Sequence, residues 1–412
     1  MRRLYYGWYL VAGLGLATIV SYGISQYLFG VLLLPIERDL GASRASVSAA
    51  FSGGLLVWGL LGVPVGRLID QVGARWPMAF GSVLGAACLI ALSHVTELWQ
   101  LYIVWSLGLG LAMALTLYPV TFTVVANFFR HRRGRALAVL TLVGGLSSPI
   151  YIPAAGWLVA QLGWREAVQV LAVSALVIAL PIHALLVRRR PEDLGLHADG
   201  EVGAPAGAAA PIDGVRLRAA LGSRTFWLLT AAAGLSSAAY GVVLAHAVAF
   251  LIVSGYAPTA AATLIGVTGV LSLPGRLVFN LASDRAGPQG LLAACTVGLG
   301  LGVLFLILAG PAIWVAAFVA VYGLAFGAVS PLRAGVLADH FGRVAYGSIT
   351  AFQNLPSAFM SAAGPVAAGL LFDSLGDYRL AFGLTAAFFA LAGLLIFLAP
   401  RPRPSLQPAV QD

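Results

Sequence analysis

The sequence predicts an all-α membrane protein with twelve transmembrane helices in two pseudo-symmetric six-helix halves and with both termini in the cytoplasm. Composition is the first observation behind this prediction, because 60% of the 412 residues are hydrophobic, only 9% are charged and the mean hydropathy is +0.93. A soluble domain is about 45–50% apolar and about 25% charged, so a soluble enzyme is excluded. The second observation is the number of long apolar runs, and the third is the distribution of arginine along the chain.

Twelve apolar runs are separated by polar breaks, and a helix that crosses a bilayer needs about 20 apolar residues. The runs cover residues 8–34, 46–68, 76–95, 98–128, 135–160, 165–187, 224–253, 259–283, 288–309, 312–337, 343–371 and 377–399. The one long break divides the chain into an N-terminal half at 1–187, a cytoplasmic linker loop at 188–223, a C-terminal half at 224–399 and a cytoplasmic tail at 400–412. The linker contains a low-complexity stretch at 203–207, which is typical of a flexible connection.

Every basic residue is an arginine, since the 24 Lys+Arg residues include no lysine. If the N-terminus is cytoplasmic, nineteen arginines fall on the inner side and only Arg38, Arg44, Arg165 and Arg379 fall on the outer side. Cytoplasmic loops carry the excess of basic residues in membrane proteins, which favours this orientation. Topology therefore accounts for the net charge of +9, and nucleic-acid binding is not expected. The remaining arginine, Arg276, lies inside an apolar run.

A Gly-x-Leu-x-x-x-x-Gly pattern recurs in the short loops after helices 2, 5 and 11, with a degraded copy after helix 8. The copies begin at Gly66, Gly156 and Gly369, and the degraded copy begins at Asn280. The first two copies are 90 residues apart and the last two are 89 apart, which predicts a three-helix unit used four times.

These loops are also predicted to gate movement between helices. Glycine lets helix ends approach closely, and the aspartate can cap a neighbouring helix or pair with an arginine of the same loop. The predicted gating residues are Gly66, Asp70, Gly73, Arg75 and Asp284.

The motif Gly66-x-Leu68-x-Asp70-x-x-Gly73-x-Arg75, with twelve helices and a central loop, resembles the major facilitator superfamily over the whole chain. Two further segments are similar to its branch of monocarboxylate transporters and oxalate–formate exchangers. They are Tyr6-Gly7-Trp8 before helix 1 and the aromatic and basic stretch at 127–138 leading into helix 5. The resemblance implies alternating access, with the substrate bound near the midplane between the two halves.

Arg276 is the main candidate for substrate binding. It lies seventeen residues into the eighth apolar run, and no Asp or Glu is within four positions of it. A charge at such depth costs about 2.5–3.5 kcal/mol even on insertion scales, so it is a functional candidate by default. Guanidinium can hold a carboxylate with two parallel hydrogen bonds. Thr268, Ser272 and Asn280 continue a polar stripe at four-residue spacing.

The resemblance agrees with this assignment, because members of the branch carry an arginine in helix 8 that binds the substrate carboxylate. Animal members place an aspartate where this chain has Ser272, so a proton-carrying role at that position is not supported here. Dicarboxylate exchangers of the branch carry a second cation, a lysine, in helix 11, whereas the corresponding stretch at 353–357 is uncharged. With Arg333 placed at the end of a span, one buried cation favours a substrate with one carboxylate.

The resembling fold lines its cavity with helices 1, 4, 7 and 10, which adds further candidates. Tyr118 precedes a predicted kink at a proline, and Tyr322 and Phe326 share a face of helix 10; ring contacts would suit a short aliphatic chain. On helix 1, Leu28 is a possible apolar wall, while Tyr22 and Gln26 share a face for which core packing is favoured. His246, well inside helix 7, is the candidate for proton coupling.

The sequence thus favours a secondary transporter of a small monocarboxylate such as lactate or pyruvate, coupled to a proton and embedded in a cell inner membrane. No cofactor, metal site, catalytic constellation or obligate protein partner is expected. The alternatives are an organic-anion exchanger of the oxalate–formate kind and, less favoured, a multidrug–proton antiporter, which would need an acid embedded in the membrane. A membrane sensor that does not transport would need a soluble signalling domain.

Overall fold

The computed structural model describes residues 5–200, 214–342 and 345–400, without the side chains of Asn280, Asp284 and Arg285. Within these ranges, twelve helices are long and apolar enough to cross a membrane, which confirms the predicted number. The helices are α1 Tyr6–Leu40, α2 Arg44–Val72, α3 Arg75–Leu92, α4 Leu98–Phe128, α5 Arg133–Leu162, α6 Trp164–Leu186, α7 Arg224–Val253, α8 Pro258–Ala286, α9 Pro288–Ile307, α10 Ala312–Phe341, α11 Tyr346–Leu375 and α12 Arg379–Leu398.

Several of the helices are interrupted, and the interruptions in α1 and α4 lie at predicted site residues. The segment Gly23–Tyr27 of α1 is a π-helical turn, which widens the hydrogen-bond ladder and re-aims the side chains around it. In α4 the backbone of Leu117 is extended, and a new helical segment begins at Tyr118. Pro119 stands at the start of that segment, where its missing N–H leaves no hydrogen bond unmade. The predicted kink at Pro119 is therefore confirmed.

The repeated loop motif corresponds to a repeated way of ending a helix. Its last glycine has a positive φ of 80° at Gly73, 84° at Gly163, 77° at Gly287 and 75° at Gly376. Each of these glycines donates its N–H to the carbonyl four residues earlier, over 2.8–3.0 Å. Residues with a Cβ rarely adopt this conformation, so glycine is needed at all four positions. The four-fold recurrence predicted from the spacing is present in the backbone.

The chain forms two compact units, and their boundaries differ from those of the predicted sequence halves. Unit 1 comprises Met1–Ala204, Leu244–Val270 and Pro365–Gly376. Unit 2 comprises Pro205–Val243, Leu271–Gly364 and Asp377–Asp412. Parts of α7, α8 and α11 thus pack with the first six helices. The low-complexity stretch at 203–207 lies outside the described residues.

Small residues bring the helices of each unit together. In unit 1, the Ser106 hydroxyl of α4 fills the space beside Gly53 of α2 and donates to the Ala50 carbonyl over 2.8 Å. In unit 2, a Cβ on Gly300 of α9 would lie 2.9 Å from the Ala386 carbonyl oxygen of α12. Such close approach replaces side-chain volume by backbone contact, as is usual between membrane helices.

Candidate functional site

Arg276 lies on α8 next to the place where α8 packs against α10. A Cβ atom on Gly275 would collide with the carbonyl oxygen of Leu324, and one on Gly327 would collide with the carbonyl oxygen of Ser272. The backbones of α8 and α10 therefore meet with no side chain between them. Arg276 itself is partly buried.

The other members of the predicted polar stripe on α8 are turned into the protein. Thr268 is 8% exposed and donates its hydroxyl to the Ile265 carbonyl of its own helix over 2.6 Å, and Ser272 is 2% exposed. The side chain of Asn280 lies outside the described part of the chain. Ser272 thus places a buried hydroxyl at the α8–α10 contact.

The aromatic residues predicted on α10 belong to a cluster in unit 2. The ring centroids of Tyr322 and Phe326 are 6.0 Å apart, and Tyr322 is almost completely buried against Gly302 of α9. Phe326 is half-buried, and its ring meets that of Tyr240 on α7 edge to face at 5.5 Å. Tyr240 also contacts Phe389, at 5.3 Å. Sequence reasoning missed Tyr240, although it is a lone aromatic residue in a run of serine and alanine.

Arg333 requires a correction to the sequence analysis. It was expected at the end of a span that stops at residue 337, but α10 continues to Phe341, so Arg333 lies eight residues before the helix end. Its Nε and Nη2 donate to the Gln353 side-chain oxygen over 3.2 and 2.8 Å, and Nη2 also donates to the Asn354 side-chain oxygen over 3.0 Å. Unit 2 therefore contains a second arginine inside a helix, and its described side-chain partners are neutral amides.

In unit 1, the predicted site residue Tyr118 stands at the break in α4. Its ring centroid is 4.9 Å from that of Tyr22 on α1 and 4.9 Å from that of Phe122. All three rings are partly buried. Leu28, predicted as an apolar wall, is completely buried in the packed interior of unit 1 and therefore presents no surface to a ligand.

The position of Gln26 differs from the core packing that the sequence favoured. It lies in the π-helical turn of α1 and is 9% exposed, and its Nε2 has no hydrogen-bond partner among the described residues. A buried amide donor left without a partner costs free energy of about 1–3 kcal/mol. Such a group in the middle of a span is a candidate for contact with a ligand, although the sequence pattern had favoured core packing.

His246 is completely buried in unit 1, where it joins three helices. Its Nε2 is 2.9 Å from the Pro365 carbonyl oxygen of α11 and 3.4 Å from the Ser48 hydroxyl of α2. Because a carbonyl only accepts, the short contact assigns the proton to Nε2. In this arrangement the Nε2–H group of His246 donates to Pro365 and holds α7 against α11.

The predicted gating residues of the first loop contact α6 and the start of the linker. Arg75 donates its Nε to the Ala184 carbonyl of α6 over 2.6 Å, and the backbone carbonyl of Asp70 accepts from the Arg189 Nη2 over 2.9 Å. No ion pair joins Asp70 to Arg75 in the described chain. Gly66 lies in open space, and the side chain of Asp284 lies outside the described residues.

The last copy of the motif shows the predicted helix cap. The carboxylate of Asp373, near the end of α11, accepts from the backbone N–H groups of Arg44 and Ala45 over 3.0 and 2.9 Å. These are the first N–H groups of α2, which have no partner within their own helix. The backbone of Gly369, one turn before Asp373, lies against Ala45, where a Cβ would be 2.7 Å from the Ala45 Cα. Arg44 in turn forms an ion pair with Glu37 at 2.7 Å.

Asp199 caps the entry to α5 in a similar way. Its carboxylate accepts from the backbone N–H groups of Arg130, His131 and Arg132 over 2.8, 2.8 and 3.1 Å. Burial raises the pKa of this carboxyl, but the three backbone hydrogen bonds outweigh that effect and hold the pKa below its ordinary value. The first part of the predicted linker is therefore fixed to the loop that precedes α5.

The acids of the protein avoid the middle of the helices. Every Asp or Glu within α1 to α12 lies within three residues of a helix end. The described residues also contain no cluster of three metal-ligating side chains.

Comparison with known proteins identifies the family. The Major Facilitator Superfamily pattern matches residues 14–365, with a second match over 291–412. Monocarboxylate transporter 13 of Bos taurus is 29% identical, with 97% of this chain and 92% of the relative covered, and monocarboxylate transporter 11 of Homo sapiens is 29% identical, with 98% and 85% covered. A bacterial homologue of the human lysosomal transporter Spinster has the same fold, with a TM-score of 0.75 at 14% identity over 96% of this chain and 98% of that chain. The protein is therefore a multi-pass membrane transporter of the Major Facilitator Superfamily, not an enzyme.

Proposed function

We propose that the protein is a secondary active transporter of a small organic carboxylate such as lactate or pyruvate, coupled to a proton and working by alternating access. The observation that carries this proposal is the position of Arg276, ten residues from the end of α8 and beside the backbone of α10. A guanidinium group at such depth supplies a positive charge and a planar pair of donors for a carboxylate. The names of the curated relatives support a carboxylate as the substrate class.

One further group of unit 2 suits such a ligand. The half-buried ring of Phe326, packed against Tyr240, offers an apolar surface on α10 for a short aliphatic chain.

Charge balance and the contacts of His246 support the proposed proton coupling. One carboxylate cancels the charge of Arg276, so the return of the empty carrier needs a compensating step. His246 is neutral while its contacts with Pro365 and Ser48 are closed. Alternating access requires contacts between helices to open, and opening here would give His246 access to water and to a proton.

Two alternatives are less well supported. A multidrug–proton antiporter needs an acid within the membrane, and the acids in α1 to α12 all lie near helix ends. An exchanger of organic anions shares the same binding group and differs from a symporter in the coupling of its transport cycle. Stimulation of uptake by unlabelled carboxylate inside the vesicles would identify exchange. The short loops suit a cell inner membrane, to which we assign the protein.

The test is uptake of labelled lactate and pyruvate into proteoliposomes under an imposed pH gradient. Arg276→Gln removes hydrogen bonds to a charged group, worth about 1.5–3 kcal/mol, which corresponds to about a 10- to 150-fold loss of affinity. Arg379→Gln, an exposed arginine at the start of α12, is the matched control and should transport normally. Unchanged uptake by Arg276→Gln would refute the binding assignment.

A second variant tests the coupling. We expect His246→Gln, which keeps an N–H donor for Pro365, to lose most of the uptake driven by the pH gradient. Exchange of labelled for unlabelled substrate without a gradient should continue. If the pH gradient still drives uptake by this variant, His246 does not couple transport to protons and forms only a structural hydrogen bond.

A further inference from the structure

The guanidinium group of Arg333 is held in place without being neutralised. Its three hydrogen bonds go to the side-chain oxygens of Gln353 and Asn354, both uncharged amides. Among the described residues, the ion pairs join Arg44 to Glu37 and Arg165 to Asp39, and neither involves Arg333. Neutral partners orient an arginine while leaving its charge available, as a site for an anion requires.

Arg333 also continues the face of α10 that carries the proposed aromatic contact. Phe326, Ser330 and Arg333 follow at i, i+4 and i+7, so they lie on one side of the helix. Ser330 is exposed and Phe326 is half-buried, so this side is not fully covered within unit 2.

The two arginines of unit 2 lie on neighbouring helices whose backbones touch. The backbone of α8 meets Gly327 of α10 at Ser272, one turn before Arg276, and Arg333 follows Gly327 by six residues, a rise of about 9 Å along the axis of α10. One carboxylate compensates one of these charges, whereas a molecule with a carboxylate at each end compensates both.

We propose that Arg333, oriented by Gln353 and Asn354, is a second anion-binding group and that the preferred substrate is a short-chain dicarboxylate. The proposal rests on the proposed transport of carboxylates through Arg276 and narrows its substrate class. It replaces the preference for a monocarboxylate, because that preference assumed a single cation within the spans.

The experiment compares succinate with butyrate, which has the same number of carbon atoms and one carboxylate. Competition of each acid against labelled succinate and labelled butyrate is measured in proteoliposomes with the full-length wild type and three variants. We expect the wild type to bind succinate at least tenfold more tightly than butyrate. Arg333→Gln should abolish that preference, whereas Arg276→Gln should weaken the binding of both acids.

Gln353→Glu separates a binding role from a purely structural one. The new carboxylate keeps and strengthens the contact with Arg333 but cancels its charge. We expect this variant to fold normally by size-exclusion chromatography and to lose the preference for succinate. A variant that keeps the preference would overturn the proposal, because the contact would then serve only to join α10 to α11.

The outcomes also distinguish this proposal from the proposed function. If wild type binds butyrate as tightly as succinate, the second anion site is refuted while carboxylate transport stands. If wild type binds neither acid, nor any member of a series from oxalate to adipate and from acetate to hexanoate, both proposals fail.

Discussion

Removal of the Asp373 carboxylate should loosen the contact between α11 and the start of α2. Asp373 accepts two backbone N–H bonds from Arg44 and Ala45, and the backbone of Gly369 lies against Ala45. Loss of a helix cap costs about 0.5–2 kcal/mol, and a charge at a helix N-terminus adds about 0.3–1 kcal/mol when exposed. Asp373 is exposed to solvent, so we expect a net loss of about 1–2 kcal/mol for Asp373→Ala.

The assay measures how often this contact opens. Ala45→Cys is introduced into a variant without Cys88 and Cys295, the two native cysteines, and the rate of labelling by N-ethylmaleimide is measured in membranes. Position 45 is 7% exposed, so labelling requires the contact to open. A loss of 1–2 kcal/mol raises the open population about 5- to 30-fold, and Asp373→Ala should raise the labelling rate by that factor.

Asp377→Ala is the matched control, because this exposed carboxylate four residues later bonds only to the N–H of its neighbour Arg379. Its labelling rate should equal that of the Ala45→Cys protein in which Asp373 and Asp377 are both intact. If Asp373→Ala also leaves the rate unchanged, the two hydrogen bonds do not hold this contact closed, and the reasoning from helix capping fails.

Three further outcomes are expected. Gly73→Ala should lower thermal stability by about 1–2 kcal/mol, because φ is +80° there and a Cβ would lie 3.1 Å from the side chain of Arg189, while Gly66→Ala, in open space, should be neutral or stabilising. Gln26→Leu should raise the melting temperature, since it removes a buried amide donor that has no partner among the described residues; a lower melting temperature would contradict this. The depressed pKa of Asp199 means that its stabilisation is present above its ordinary pKa of 3.8 and is lost only as pH falls through the lower folded value. Proteolysis at 188–199 should therefore be independent of pH between 8 and 5 and should increase with Asp199→Asn.

The twelve helices, their approximate bounds and the repeated glycines could be predicted because they depend on local properties of the chain. Hydropathy marks the apolar part of each helix, and glycine marks the positions where φ is positive. Hydropathy does not mark where a helix ends, because a helix can continue past the apolar layer with charged residues. The run predicted to stop at 337 continues to Phe341, and for this reason Arg333 was placed at a helix end.

The partners of the site residues could not be predicted because they come from distant parts of the chain. Gln353 was recognised as an uncharged position in helix 11, but nothing in the sequence links it to Arg333, twenty residues earlier. The packing of Tyr240 on Phe326 likewise depends on how α7 meets α10. The motif places an aspartate at position 373, so a capping role for Asp373 could be predicted. The helix that it caps, α2, could not.

The contact between α8 and α10 at Gly275 and Gly327 has a mechanical consequence. Because backbone meets backbone there, no side chain can flex to absorb a displacement of one helix relative to the other. Arg276 and Phe326 each adjoin a glycine of this contact, so we expect them to move together when either helix is displaced.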